Sequence, residues 1–371
     1  MYLHNNDIIK ADSWNYYWEA ITNWRLMQIY PKEKLQELFF DWGLFYNLDA
    51  MFGWDGALAF SDLGTKFIMK YMQFSTFFTL GTFYPVIIFY NAFFILGQLA
   101  LLKTALFFQE RKKYWFVFVI FFVPSVLFWG SGIHKEGFAL SAIGFISWYS
   151  VLVFYKKEKK YLFRLILSFL LLFVVRHYFF LVLIIPYLFW VIRRERNYNL
   201  ALFVLLPVVL FSSVFIFHLF FPENSPLKII QYRQGEFQKL KGNSNILTPA
   251  FESKVDKLIE NIPLALNHIF LRPYLNESDQ WKYLFASIEN LFVLFLMILL
   301  LLLAKRKNMN NAFFLFLLIF SLTICLFIGL TMTNLGAILR YKSIFISLIL
   351  VALVGFAEIP FSFLYIQKEK K

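Results

Sequence analysis

The chain is 371 residues long, 60% hydrophobic and only 16% charged, with a mean hydropathy of +0.62. Soluble domains run about 45–50% apolar and about 25% charged, so these figures exclude a soluble globular protein and point to an integral membrane protein. The net charge of +13 does not mark a nucleic-acid binder, because sixteen Lys and Arg against four Glu sit in five short clusters beside apolar runs, the pattern that marks the cytoplasmic side of a bilayer.

In chain order, residues 1–30 carry Asp7, Asp12 and Glu19 and no apolar stretch of signal-peptide length. Residues 1–83 are expected as an outward-facing segment. Its stretch 66–83 is only mildly apolar and holds Lys66 and Lys70, which predicts an interfacial helix. A span needs about 20 apolar residues, fewer where it is re-entrant. Runs that approach this lie at 84–107, 114–129, 137–155, 161–175, 177–192, 198–221, 283–304, 312–331 and 341–358. They predict an all-α, polytopic transmembrane bundle of about nine segments. Transmembrane helices over 84–221 and 283–371 flank an outward-facing loop at 222–282. Within that loop, Leu258, Ile262, Leu266 and Ile269 fall on one stripe and predict an amphipathic helix over 251–271. Cys325, the only cysteine, lies in an apolar run, so no intramolecular disulfide can form.

The basic clusters order these segments. They are Arg111–Lys113, Lys156–Lys160, Arg193–Arg196, Lys305–Lys307 and Lys368–Lys371. An even number of spans must separate each from the next, so 161–192 has to cross twice, turning at Arg176-His177. The outward pieces are then 1–83, 130–136, 176–177, 222–282 and 332–340. The two long ones lack the basic bias: nine acids against six Lys and Arg in 1–83, seven against eight in 222–282. Since 1–83 should lie outside, either the N-terminus is translocated unaided or, as the favoured expectation, a further span precedes residue 1.

Five constellations on that face could carry chemistry. Asp12, followed at helical spacing by Tyr16 and Glu19, can meet a substrate at headgroup level, although an Asp there could also cap a helix. His134, Lys135 and Glu136 follow a GlySerGly break between apolar segments, where polar groups usually serve function; snorkelling is the simpler role for Lys135. Arg176 lies between two short apolar helices. Arg272, in LeuArgProTyr, can grip a phosphate bidentately or form a surface salt bridge. Arg340 opens the last span, with Lys342 just inside it. Asp7, Asp41, Asp49, Asp55 and Asp62 are expected as solvated loop acids. No phosphate-binding glycine loop, HExxH helix or Cys/His metal spacing occurs. Cations with one or two carboxylates at a membrane face suit a lipid-borne phosphate or pyrophosphate. The cations hold the anion, and a carboxylate takes a proton from an acceptor hydroxyl.

At AspSerTrpAsnTyrTyr (12–17), PheTrpGlySerGlyIleHisLysGlu (128–136), ArgProTyr (272–274) and ArgTyr (340–341), the chain resembles the polytopic glycosyltransferases of the C superfamily and related membrane proteins of bacterial polysaccharide clusters. The resemblance implies transfer of a sugar from a polyprenyl-phosphate donor to a glycan or lipid acceptor. The setting would be the outer leaflet of a bacterial inner membrane, with the C-terminus cytoplasmic. Asp12 would be the general base and Glu136 a second acid or the ligand of a divalent cation. Lys135, Arg272 and Arg340 would hold the donor phosphate, with His134, Arg176 and Tyr16 beside them, and Trp14, Tyr17 and Trp18 could stack on sugars. That family has a span ahead of its acidic loop, which this chain lacks. A polymerase of lipid-linked oligosaccharides and a non-enzymatic exporter of such lipids are the rival expectations.

Overall fold

The computed structural model describes residues 12–40, 54–193, 216, 218–221, 225–239, 244–277 and 281–359; for 12–14, 40 and 54–62 only the backbone path is described. Among these residues the fold is all helical, with no strand and two isolated antiparallel bridges, Asn245 to Asn334 and Ala304 to Ala357. The helices are α1 (Asp12–Ile29), α2 (Pro31–Phe40), α3 (Trp54–Thr79), α4 (Phe83–Phe108), α5 (Lys113–Phe121), α6 (Pro124–Ser131) and α7 (Lys135–Ser150, prolonged by a π-turn at Val151–Tyr155). They continue with α8 (Leu162–Val175), α9 (His177–Ile192), α10 (Pro226–Lys239) and α11 (Val255–Leu266, prolonged by a π-turn at Asn267–Leu271). The last three are α12 (Trp281–Leu302), α13 (Ala312–Thr331) and α14 (Leu335–Phe356).

Among the described residues, five helices are long and apolar enough to cross a membrane: α4, α7 with its π-turn, α12, α13 and α14; the bent pair α5–α6 makes a sixth if counted as one span. The chain therefore has the build of a multi-pass membrane protein. Nine segments are not established. Helices α8 and α9 have 14 and 16 residues, about 21–24 Å at 1.5 Å per residue, shorter than a hydrocarbon core of about 30 Å. The run 198–221 lies almost wholly outside the described residues.

Local chemistry explains the boundaries. The run 114–129 is bent by 56° between α5 and α6, because Pro124 offers no N–H and pushes Val123 into an extended conformation (φ −76°, ψ 116°). Helix α14 starts six residues ahead of the expected 341, capped by Asn334, whose side chain accepts from the Ala337 N–H at 3.2 Å. Arg340 therefore lies in its second turn. The expected interfacial helix at 66–83 is the later part of the 26-residue α3, which buries Ile68 and Met72 against the bundle. Asp55 and Asp62 lie in α3 and not in a loop; Asp7, Asp41 and Asp49 fall outside the described residues. In the stretch 251–271, Leu258 and Ile269 are buried as expected, but Ala265 replaces Leu266 on the packed face. Pro263 and the π-turn rotate the register there.

Helices α7, α13 and α14 form the centre. Along α14 nearly every residue from Tyr341 to Phe356 is buried, whereas α4 and α12 keep one long side exposed. Between α4 and α7 the backbones nearly touch, since a Cβ on Gly97 would overlap Ser141 and one on Gly144 would overlap the Gly97 carbonyl. A bilayer gives helices no hydrophobic reason to associate, so shape carries the packing. Aromatic rings supply much of it. Trp190 stacks on Phe316 at 5.3 Å and Phe108 on Phe313 at 5.1 Å.

The bundle has two distinct ends. At one, Gln109 Nε2 donates to the Gly355 carbonyl at 2.8 Å and Lys112 Nζ to those of Val354 and Gly355 at 2.9 and 2.7 Å, while Lys305 pairs with Glu358. At the other lie the 131–135 turn, Arg176, the α13–α14 turn and the segment 244–277. There the Ile246 N–H donates to the Thr333 carbonyl at 2.7 Å and the Leu335 N–H to that of Ser244 at 2.9 Å, docking this segment on α13–α14.

Candidate functional site

The site is built on three helix starts at one end of the bundle. Helix α7 begins at Lys135, and its first turn is fixed by Phe138, whose fully buried ring meets Phe67, Tyr71, Tyr90 and Phe93 at 4.9–5.3 Å. From α4, Tyr90 Oη donates to the His134 carbonyl at 3.0 Å and Asn91 Nδ2 to that of Ser131 at 3.2 Å. These bonds hold the GlySerGly turn closed. Gly64 lets α3 pass directly against the Val175 carbonyl and the Lys135 side chain, so α3 walls this region.

Glu136 is 1% exposed, on the second residue of α7. Arg176 ends α8 and starts α9, and its Nη2 donates to Glu136 Oε1. From α14, Arg340 Nε lies 3.6 Å from the same oxygen. Tyr341 packs beside both guanidiniums, 4.7 Å from that of Arg176 and 5.1 Å from that of Arg340. A carboxylate buried this deeply needs paired cations, and two are present. The N-termini of α7 and α9 carry no side-chain cap. Their macrodipoles add positive potential.

Of the expected residues, the fold brings Glu136, Arg176 and Arg340 together, with His134 and Lys135 on the adjoining turn. Arg272 is placed apart. Its Nη1 pairs with Glu277 Oε1 at 3.0 Å and its guanidinium lies over Tyr274, because the Tyr274 N–H binds Glu277 Oε2 at 2.9 Å and closes a local turn. The backbone of Arg272 is nonetheless tied to the group. Lys342 Nζ donates to the Arg272 carbonyl at 2.9 Å, to that of Ile269 at 3.2 Å and to Asn290 Oδ1 at 2.9 Å. Lys342 is therefore a buried clasp and does not snorkel. Asp12 is the first residue of α1, and its side chain lies outside the described residues, as does that of Trp14. Tyr17 is unavailable for stacking on a sugar, since it is buried and donates to the Gly81 carbonyl at 2.6 Å. Tyr16 is half-buried against the core and Trp18 is exposed.

A metal role for Glu136 fits poorly, because two guanidiniums beside its carboxylate repel a divalent cation. No group of three or more His, Cys, Asp or Glu suited to a metal converges among the described residues. His268, on the Asn267–Leu271 π-turn, is buried with Nδ1 at 3.2 Å from the Gly329 carbonyl. Burial pushes its pKa below the usual histidine value, which favours a neutral ring.

One residue escaped the sequence reading. Arg233, on α10, lies within electrostatic reach of His177 and Tyr178, the two residues that follow Arg176. Its only sequence signal is its place on the inward edge of a helix set by Leu227, Ile230 and Gln234. At the opposite end, a groove lined by Arg111, Lys112 and Lys305 also gathers cations. There Lys112 caps helix C-terminal carbonyls and Lys305 pairs with Glu358, so two of its charges are already matched. Compared with protein-family models, curated proteins and solved structures, the chain matches none.

Proposed function

We propose that the protein is a membrane glycosyltransferase that moves a sugar from a polyprenyl-phosphate-linked donor to a glycan or lipid acceptor. The observation that carries this reading is the buried Glu136–Arg176–Arg340 group, set at the uncapped starts of α7 and α9 at one end of a membrane bundle. An anion placed there meets two guanidiniums and the positive ends of two helices. Glu136 keeps the two guanidiniums side by side when no substrate is bound. Lys135 and His134 extend the positive surface. Arg272, steadied by Lys342, lies on the adjoining loop. Asp12 takes the acceptor hydroxyl's proton as general base, in an inverting displacement in which the acceptor oxygen attacks the anomeric carbon and the lipid phosphate leaves. The finer topology belongs to the same reading: about nine membrane segments in a bacterial inner membrane, this end outward and the C-terminus cytoplasmic.

A polymerase of lipid-linked oligosaccharides would use the same arginines. The exporter reading has one observation of its own, the break between short α8 and α9 at Arg176, since transporters build sites from broken helices. Against it, such sites lie near the midplane, and the ion-paired charges here gather at the end of the bundle.

The test is sugar transfer from defined polyprenyl-phosphate sugars in proteoliposomes, using the full-length protein. Asp12→Asn is expected to lower transfer by about 10²–10⁴, the usual contribution of a general base, at unchanged protein level. A helix cap predicts near silence, because Asn caps as well as Asp. Wild-type protein that moves the lipid across the bilayer without ever transferring its sugar would turn the reading to the exporter.

A further inference from the structure

At the end opposite the candidate site, three membrane-length helices stop together: α4 at Phe108, α12 at Leu302 and α14 at Phe356. Between their ends lies a groove of about 920 Å³, walled by the turns that follow them. Pockets for small ligands run about 300–1,000 Å³. Hydrogen bonds lock the walls to one another. Besides the bonds from Gln109 and Lys112 to the last carbonyls of α14, Asn308 Nδ2 and the Lys305 N–H donate to the Phe356 carbonyl at 3.2 and 3.1 Å. The Glu358 N–H closes the ring on the Leu303 carbonyl at 2.7 Å.

The charges around the groove do not balance. Its turns carry Arg111, Lys112, Lys113, Lys305, Arg306 and Lys307 against the carboxylates of Glu110 and Glu358. Lys305 pairs with Glu358, and Lys112 is held by carbonyls. The side chains of Arg111, Lys113, Arg306 and Lys307 are exposed and make no hydrogen bond or ion pair among the described residues. Glu110, on the same turn as Arg111, offsets one of the four. Arg111 lines the groove itself, and its planar fork of donors suits phosphate oxygens.

Apolar surface meets this charge. Phe108, Leu303 and Ile359 line the groove, and Phe107, Leu301 and Leu302, on the last turns of α4 and α12, are exposed. A soluble anion would use only the cations. A phospholipid uses both, and basic pockets between membrane helices take anionic headgroups in this way.

We infer that this groove binds an anionic phospholipid, with its phosphate on Arg111 and its acyl chains along the exposed sides of α4 and α12. The inference is independent of how the Glu136 group is read.

The experiment measures equilibrium binding of fluorescent short-chain phosphatidylglycerol and phosphatidylcholine to the purified full chain, in neutral detergent at fixed ionic strength. Wild-type protein should bind phosphatidylglycerol saturably and about tenfold more tightly than phosphatidylcholine, the factor expected for one or two matched cations. Arg111→Gln should erase that preference, and Arg111→Lys should keep part of it. The Arg111 side chain makes no bond that holds the fold, so melting curves of both variants should overlay that of wild type. Lys159→Gln, in the basic cluster that follows Tyr155 at the same end, should bind as wild type does. Inorganic phosphate should not displace the lipid at concentrations where the lipid itself saturates. Equal weakening by Arg111→Gln and Lys159→Gln would mean diffuse charge that only sets sidedness, and the inference fails. It fails also if wild type shows no preference between the lipids, or if inorganic phosphate competes as well as the lipid, which would make the groove a site for a soluble anion.

Discussion

Glu136 shows how much a single residue carries here. Its carboxylate is almost fully buried, and two guanidiniums depend on it. Removing one partner of a buried ion pair leaves uncompensated charge and typically costs about 3–5 kcal/mol. Glu136→Gln is therefore expected to lower the melting temperature of the detergent-solubilised protein markedly, and saturating inorganic phosphate should recover part of the loss. A variant that melts with wild type would remove Glu136 from its role as organiser. The turn around Glu136 was legible because charged residues beside a glycine break at a membrane face stand out. Arg233 was not, since one arginine in a Pro- and Gly-containing loop has no spacing to mark it. The role of Lys342 was not legible for a different reason. Snorkelling is the default for a lysine near a helix end, and its actual partners are carbonyls some seventy residues away in sequence.

At the scale of elements, the approach of α4 and α7 sets the platform on which Lys135 and Glu136 sit. Gly137, Ser141 and Gly144 fall at i, i+4 and i+7, one narrow face of small residues, and that face receives Gly97 and Tyr90. Gly144→Ala puts a methyl onto the Gly97 carbonyl and must push the helices apart. Overpacking of this kind typically costs about 1–3 kcal/mol. The contrast is Gly235→Ala on α10, where nothing lies within reach of the added methyl. A glycine inside a helix is worth about 0.5–1 kcal/mol less than alanine, so this change should stabilise slightly. Thermal unfolding in detergent should move the two variants in opposite directions; a Gly144→Ala protein as stable as wild type would show that the helices are not in contact. The small-residue face could have been found in the sequence. The bend at Pro124 and the early start of α14 at its Asn334 cap could also have been found, because each has a local chemical cause.

For the whole molecule, the two ends differ in chemistry, and their sidedness is testable. Single cysteines in a Cys325→Ser background, probed with an impermeant maleimide in intact cells, should label at fully exposed Leu247→Cys and not at Lys307→Cys. The reverse pattern would overturn the orientation and with it an outward site. The sequence alone determined that the chain is helical and crosses a membrane several times, because hydropathy and charge follow directly from composition along the chain. Its basic clusters also propose an order for the segments, since Lys and Arg cannot cheaply cross a bilayer. Tertiary structure decided which charges meet. Glu136, Arg176 and Arg340 come from three helices far apart in sequence, and their meeting depends on how those helices start and cross. It also decided that Arg272 turns to Glu277 and that α10 brings Arg233 over the same end. Such pairings are set by packing between distant segments, and no local pattern of residues encodes them.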